Sequence, residues 1–315
     1  MNEMSKAAGA IPFLNSHGNV RVTRDVTFGV GGVDHEAGKG PARYRPLKLD
    51  VYEPEGASSR PRPALILAFG GAFHRGSKET DEFGDAEGMS TPMAEYAKLF
   101  AGRGYVCFCI DYRLTQEKPD PGVTPTIAPD EPMNKDRVNV VRGMLGLPPA
   151  TDDELRNGIE GATDDMVKAV TFVRSRSRFY NVDIHRIALG GFSAGAVISL
   201  LAAFIERVPV KAVVSVSGRI SEAASKTGMT GAADEPAVLM FHGDRDLPVI
   251  AEGAAPTKAH MQKVGLKHRC IQLANSTHFY PKTTPVRASD GEPASDVETT
   301  MAKFLYDALD LRGAA

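Results

Sequence analysis

Arg186-Ile187-Ala188-Leu189-Gly190-Gly191-Phe192-Ser193-Ala194-Gly195-Ala196-Val197-Ile198-Ser199-Leu200-Leu201 changes character at Ser193. The run 186–189 predicts a short buried strand, and the apolar run 196–204 predicts a helix. A strand that turns straight into a helix through Gly-x-Ser-x-Gly is a nucleophile elbow, which holds a serine hydroxyl exposed at the carboxyl edge of a sheet. Its glycines are steric requirements, because a side chain at either position would collide with neighbouring backbone in a strained turn. The pentapeptide alone is weak, since a serine capping an ordinary helix gives the same letters. The strand before it and the helix after it supply the context.

Two further segments downstream fit the same chemistry. Pro236-Ala237-Val238-Leu239-Met240-Phe241 predicts a buried strand that runs into His242-Gly243-Asp244-Arg245-Asp246, a turn with two carboxylates. Strand 269–274 follows, and then the loop Asn275-Ser276-Thr277-His278-Phe279. A serine hydroxyl is a poor nucleophile at neutral pH and needs an imidazole to take its proton. The imidazole in turn needs a carboxylate to fix its tautomer and stabilise its charged form. Upstream, strand 64–69 leads into Gly70-Gly71-Ala72-Phe73-His74-Arg75-Gly76-Ser77-Lys78. Small residues there let backbone N–H groups approach a developing oxyanion, with a further donor on Ala194 directly after the serine.

Serine, acid and histidine in this order, each just past a strand, follow the chain order of the α/β-hydrolase triad. From about Leu47 to Leu309 the chain resembles the α/β-hydrolase esterases with an HGGG-type oxyanion loop, related to hormone-sensitive lipase. The resemblance includes Leu47-Lys48-Leu49-Asp50-Val51-Tyr52-Glu53-Pro54 and Asp111-Tyr112-Arg113-Leu114. It implies the α/β-hydrolase fold, a catalytic triad of Ser193, Asp246 and His278, and an oxyanion hole of Gly71, Ala72 and Ala194. The family places its acid four residues after the histidine of a His-Gly-x-x-Asp turn, which selects Asp246. Asp244, next to Gly243, is expected to stabilise the turn. The chain departs from the family at Phe69-Gly70-Gly71-Ala72, where the leading histidine of His-Gly-Gly-Gly, a polar anchor of that loop, is missing. Kynurenine formamidases and feruloyl-type esterases share the Leu-Asp-Val-Tyr and Gly-Gly features, so the resemblance selects no substrate.

Composition is that of an ordinary globular chain: 315 residues, 42% hydrophobic and 24% charged, with a formal net charge of −2. That balance gives no electrostatic reason to expect nucleic acid or an anionic membrane as partner. No run of 18 apolar residues is present, and Met1-Asn2-Glu3-Met4-Ser5-Lys6-Ala7 lacks the pattern of a secretory signal. Cys107, Cys109 and Cys270 read as reduced core residues of a cytoplasmic protein, and no Cys/His spacing suggests a metal. The triad pattern and the resemblance imply a small-molecule ester as partner, with no cofactor and a homodimer left open.

One domain over 1–315 is expected, beginning with two or three antiparallel strands in 20–54. Parallel strands at 64–69, 104–111, 186–190, 210–216, 236–242 and 269–274 then alternate with helices at 90–102, 163–178, 256–264 and 295–309. Residues 116–162 interrupt the alternation for too long to be a passive connection. We expect a helical cap there, starting with a helix over 136–147 and with a capped start at Thr151, and with Met144, Leu145 and Leu147 lining an acyl pocket. His74 and Arg75, just past the oxyanion loop, are candidates to hold a substrate carboxylate. Arg113 is expected to pair with Asp164 or Asp165, and His242 to be a scaffold histidine. The reading is a serine hydrolase of carboxylic esters. An amidase or formamidase with the same machinery is the alternative, and a non-catalytic receptor on this scaffold is a third.

Overall fold

The computed structural model describes residues 11–15, 18–56, 58–79, 83–122, 125–287 and 294–312, so the reading of Met1–Ala7 lies outside the described residues. Strands β1 (Val20–Glu36) and β2 (Gly40–Pro54) form a long antiparallel hairpin. After them come β3 (Arg62–Ala68), β4 (Val106–Ile110), β5 (Val182–Phe192), β6 (Ala212–Val216), β7 (Ala237–Gly243) and β8 (His268–Leu273). The sheet order is β1-β2-β4-β3-β5-β6-β7-β8. β2 pairs antiparallel with β4, and every pair from β4 to β8 is parallel.

The central parallel strands β3, β4 and β6 are short, buried and mostly apolar runs because helices cover both of their faces. Alternation along β3 divides its side chains between two cores. Ala64, Ile66 and Ala68 pack with Met166 and Val170 of α3 (Asp152–Ser175) and with Ile198 and Leu201 of α5 (Ala194–Phe204). Leu65 and Leu67 point the other way, toward Tyr96 and Phe100 of α1 (Met93–Gly102) and Met301 and Leu305 of α8 (Val297–Ala308). The remaining helices are α2 (Asp136–Met144), α4 (Ser177–Tyr180), α6 (Glu222–Gly228) and α7 (Pro248–Val264). Among the described residues, no helix is long and apolar enough to cross a membrane.

Helix α3 begins earlier than the sequence reading placed it. Thr151 Oγ1 accepts the Glu154 N–H at 3.1 Å and Glu154 Oε2 accepts the Thr151 N–H at 2.9 Å, a capping box. The capped start inside the insertion and the helix behind it are therefore one 24-residue helix, and the end of the insertion is continuous with a helix that packs on the sheet.

Arg113 ties the insertion to the body. It is 1% exposed, and its guanidinium donates to Asp165, Asp164 and the carbonyls of Gly32, Asp120 and Gly161. It thus binds both of the acids that the sequence offered. A Cβ on Gly31 would lie 2.5 Å from Arg113 Cδ, so glycine there makes room for the cation.

Candidate active site

β5 ends at Phe192 and α5 starts at Ala194, leaving Ser193 in the turn with φ 51° and ψ −113°. A non-glycine residue at positive φ is strained and persists only where its surroundings hold it. Here the Ser193 N–H donates to Val216 O at 2.8 Å, and both flanking glycines are sterically obligatory. A Cβ on Gly191 would sit 2.3 Å from the Gly195 carbonyl carbon, and one on Gly195 would sit 2.0 Å from Ala68 O.

His278, in the loop after β8, lies with Nε2 3.0 Å from Ser193 Oγ and Nδ1 2.6 Å from Asp246 Oδ1. An ionised carboxylate only accepts, so Nδ1 carries the proton and Nε2 is left as the acceptor facing the serine. The buried Asp246 carboxylate has further donors: the Gly243 N–H at 3.1 Å, the Leu247 N–H at 2.8 Å and the Ser217 hydroxyl at 2.7 Å. Ser217 Oγ is itself 3.0 Å from the Tyr280 hydroxyl. Sequence reading missed Ser217 and Tyr280. The signal available for Ser217 was its place just past the end of β6, on the sheet edge that carries the other site residues.

Asp244 has a different job. Its oxygens accept the N–H groups of Asn275 at 2.8 Å and Ser276 at 3.0 Å, which hold its carboxyl below the usual range. It therefore ties the acid turn to the loop that carries His278, rather than capping its own turn. Half-buried His242 beside it has its pKa lowered by burial, against the opposing pull of Asp246.

The glycine-rich loop after β3 is tightly wound. Gly71 has φ 106°, and a Cβ on it would meet Arg75 O at 2.0 Å. Ala72 and Phe73 follow at φ 55° and 61°, strained positions beside the elbow. Phe69, just before the loop, stacks on Tyr112 with ring centroids 4.3 Å apart. The Tyr112 hydroxyl lies within hydrogen-bond reach of the Phe69 and Gly70 carbonyls, at 3.0 and 3.2 Å.

His74 is 1% exposed and lies beneath this loop, not in the pocket, which corrects its expected role toward substrate. Its Nδ1 is 2.7 Å from Ala72 O and its Nε2 is 3.2 Å from Arg142 Nη1. A carbonyl on one side and a guanidinium on the other assign the proton to Nδ1. Burial lowers the His74 pKa, and the Arg142 charge adds to the shift. Gln116 Nε2 donates to His74 O at 2.7 Å and the Thr115 N–H donates to Phe73 O at 2.8 Å. The loop is thus braced by residues at the start of the insertion and by Arg142 of α2. Those partners are 40 to 70 residues away in sequence, which hid them from local reading.

A cavity of about 480 Å³ opens beside Ser193 and His278. Val197 and Leu201 of α5 and Ile250 of α7 line one part of it, and Met133, Val138 and Ile159 of the insertion line another. The pocket residues expected from sequence need correction. Met144 and Leu145 are 65% and 45% exposed, and neither they nor Leu147 line the cavity. Helix α2 stops at Met144, Gly146 turns the chain at φ 69°, and the inward face of the helix is set by Val138 and Val141. Arg75 does lie beside Ser193, in a small crevice shared with Arg137.

One acidic cluster, Asp25, Asp50 and Glu79, brings oxygens close enough to suggest a cation. Lys78 Nζ already sits among them at 3.0, 2.9 and 3.0 Å.

Over nearly the whole chain the structure is similar to esterase 2 of Thermogutta terrifontis phosphorylated by paraoxon. The TM-score is 0.58 at 18% identity, covering 92% of this chain and 94% of that one. The fold is that of the α/β hydrolases. The same esterase with propionate bound matches at TM-score 0.52 and 18% identity, covering 79% of this chain and 84% of that one. MGS-M1, an α/β hydrolase from a Medee basin deep-sea metagenome, matches at 0.54 and 14%, covering 93% and 100%. A family model described as phospholipase/carboxylesterase matches residues 150–284, a stretch that contains Ser193, Asp246 and His278. No curated protein sequence matches the chain. As in other sheets of this α/β type, the cleft lies outside the carboxyl ends of the parallel strands.

Proposed function

We propose that this α/β hydrolase cleaves carboxylic esters through an acyl-enzyme formed on Ser193. The observation that carries the reading is the aligned relay Ser193 Oγ–His278–Asp246, at 3.0 and 2.6 Å, at the mouth of a largely apolar cavity. Ser193 Oγ attacks the ester carbonyl as its proton passes to His278 Nε2, and Asp246 stabilises the imidazolium. The N–H groups of Gly71, Ala72 and Ala194 receive the oxyanion. Ala194 suits the part because the first N–H groups of a helix have no intrahelical acceptor. His278 then protonates the leaving alkoxide, and water enters by the same route in reverse.

The phospholipase/carboxylesterase match over the site residues supports this reading, as does an esterase on the same fold that is phosphorylated by paraoxon. Within the esterases, the oxyanion loop reads as a variant of the HGGG type in which Tyr112 and His74 supply the polar anchoring. Residues 116–162 act as a helical cap, since Ile127, Met133, Arg137 and Val138 roof the cavity. Three free cysteines fit a reducing, cytoplasmic setting.

The test is a panel of p-nitrophenyl esters of increasing acyl length run beside N-formylkynurenine. Saturable hydrolysis of the esters is expected, falling once the acyl chain outgrows the cavity. Turnover confined to N-formylkynurenine would replace the esterase by a formamidase. No turnover of either would overturn the hydrolase reading.

A further inference from the structure

Beside Ser193 and sharing Ala72, Arg137 and His278 with the large cavity, a second recess holds Arg75 and Arg137 among aromatic rings such as Phe83 and Phe279. It offers about 10 Å³, the space of one water-sized polar group such as a single carboxylate oxygen. Arg137 borders both this crevice and the large cavity. Its guanidinium lies over the Phe279 ring at 5.7 Å from the centroid, and that of Arg75 lies over Phe83 at 4.9 Å. Stacking on aromatic faces fixes the planes of two planar forks while leaving their N–H edges available.

Among the described residues, neither of these arginines forms an ion pair; Arg62, Arg156, Arg174 and Arg219 form none either, but their guanidiniums donate to backbone carbonyls, whereas no such bond is seen for Arg75 or Arg137. Arg113 has Asp164 and Asp165, Arg103 has Glu298, and Arg45 has Glu117. Arg75 Nε is buried with no hydrogen-bond acceptor. The acid nearest in influence on Arg137, Asp85, spends Oδ1 on the N–H groups of Glu87 and Gly88. Burial, together with repulsion from Arg75, lowers the Arg137 pKa. Two cations brought together beside a reactive serine, with no ion-pair partner among the described residues, make a site that an anion would complete.

We infer that the preferred substrates are esters carrying a carboxylate close to the scissile carbonyl, with the carboxylate in the crevice between Arg75 and Arg137 and the apolar part of the ester in the large cavity. A carboxylate matches the planar fork of a guanidinium with two parallel hydrogen bonds. The inference rests on the esterase reading and adds a substrate class to it. Arg137 is a specificity-determining residue, and it reaches the site from the insertion.

The test compares isosteric pairs that differ only in charge. Hexyl hydrogen succinate against hexyl levulinate places the carboxylate on the acyl side, and carboxymethyl hexanoate against acetonyl hexanoate places it on the alcohol side. The ratio of kcat/KM, charged over neutral, is expected to exceed one for at least one pair. It should fall about 10- to 100-fold in Arg137→Gln, the worth of a charge-assisted hydrogen bond, and recover in part in Arg137→Lys. A ratio below one for both pairs, or a ratio unmoved in Arg137→Gln, would overturn the inference. Calorimetric binding of the amides N-hexylsuccinamate and N-hexyllevulinamide reads recognition without turnover. Tighter binding of the anion that is lost in Arg137→Gln supports the anion site even if no ester is cleaved, in which case only the hydrolase reading fails. Equal binding of the two amides overturns the anion site.

Discussion

Ser193→Ala should lower kcat for ester hydrolysis by about 10⁴- to 10⁶-fold while the protein stays folded, as expected for loss of a triad nucleophile. The fold should tolerate the change. The Ser193 side chain does not cap α5, and alanine keeps the same Cβ in the same strained turn. What is removed is the single oxygen that faces His278 Nε2 at 3.0 Å. Steady-state kinetics on the best p-nitrophenyl ester, with circular dichroism on the same sample, checks both halves. A folded variant that retains more than a tenth of wild-type turnover would rule out the serine mechanism.

Asp246→Asn should cost about 10⁴-fold in kcat, the magnitude known for the equivalent change in the serine-protease triad. All four donors around this side chain point at acceptor oxygens: His278 Nδ1 and the Leu247 N–H at Oδ1, and the Ser217 hydroxyl and Gly243 N–H at Oδ2. Turned with its NH₂ toward His278, an asparagine amide selects the wrong tautomer; turned away, its NH₂ meets the Gly243 N–H; and in either case the negative charge that stabilises the imidazolium is gone. Some loss of stability should accompany the loss of activity. Asp244→Asn disturbs only the contacts to the Asn275 and Ser276 N–H groups, so it should keep most of the activity and lower the melting temperature slightly. Kinetics and thermal melts of the two variants side by side would reverse the assignment if Asp244→Asn proved the inactive one.

The parts of this molecule that were legible in its sequence are those fixed by local sterics and burial. Gly191 and Gly195 are needed because of backbone within a few ångströms, and the central strands β4 and β6 are buried along their whole length because both faces are covered. The order of Ser193, Asp246 and His278 could be read because each sits just past a strand end. Periodicity failed where it had to say where a helix stops. Leu145 and Leu147 continue the apolar pattern of α2, yet the helix ends at Met144 and leaves Leu145 exposed. The start of α7 at Pro248 was also missed, because Pro256 lies inside the helix rather than at its first turn. Contacts between distant segments could not be read at all. The brace from Arg142 through His74 to Ala72 and the approach of Arg137 to Arg75 depend on the insertion folding back over the oxyanion loop, and the contact of Ser217 with Asp246 depends on the pairing of β6 with β7.

Intact-mass and peptide mass spectrometry after exposure to paraoxon bears most directly on Ser193 as the nucleophile. One diethylphosphoryl group per chain is expected, on the peptide that contains Ser193. Esterase activity should fall in proportion to labelling, and Ser193→Ala should take up none. Inactivation by paraoxon with the label on another residue, or full labelling of Ser193 with activity unchanged, would contradict the account.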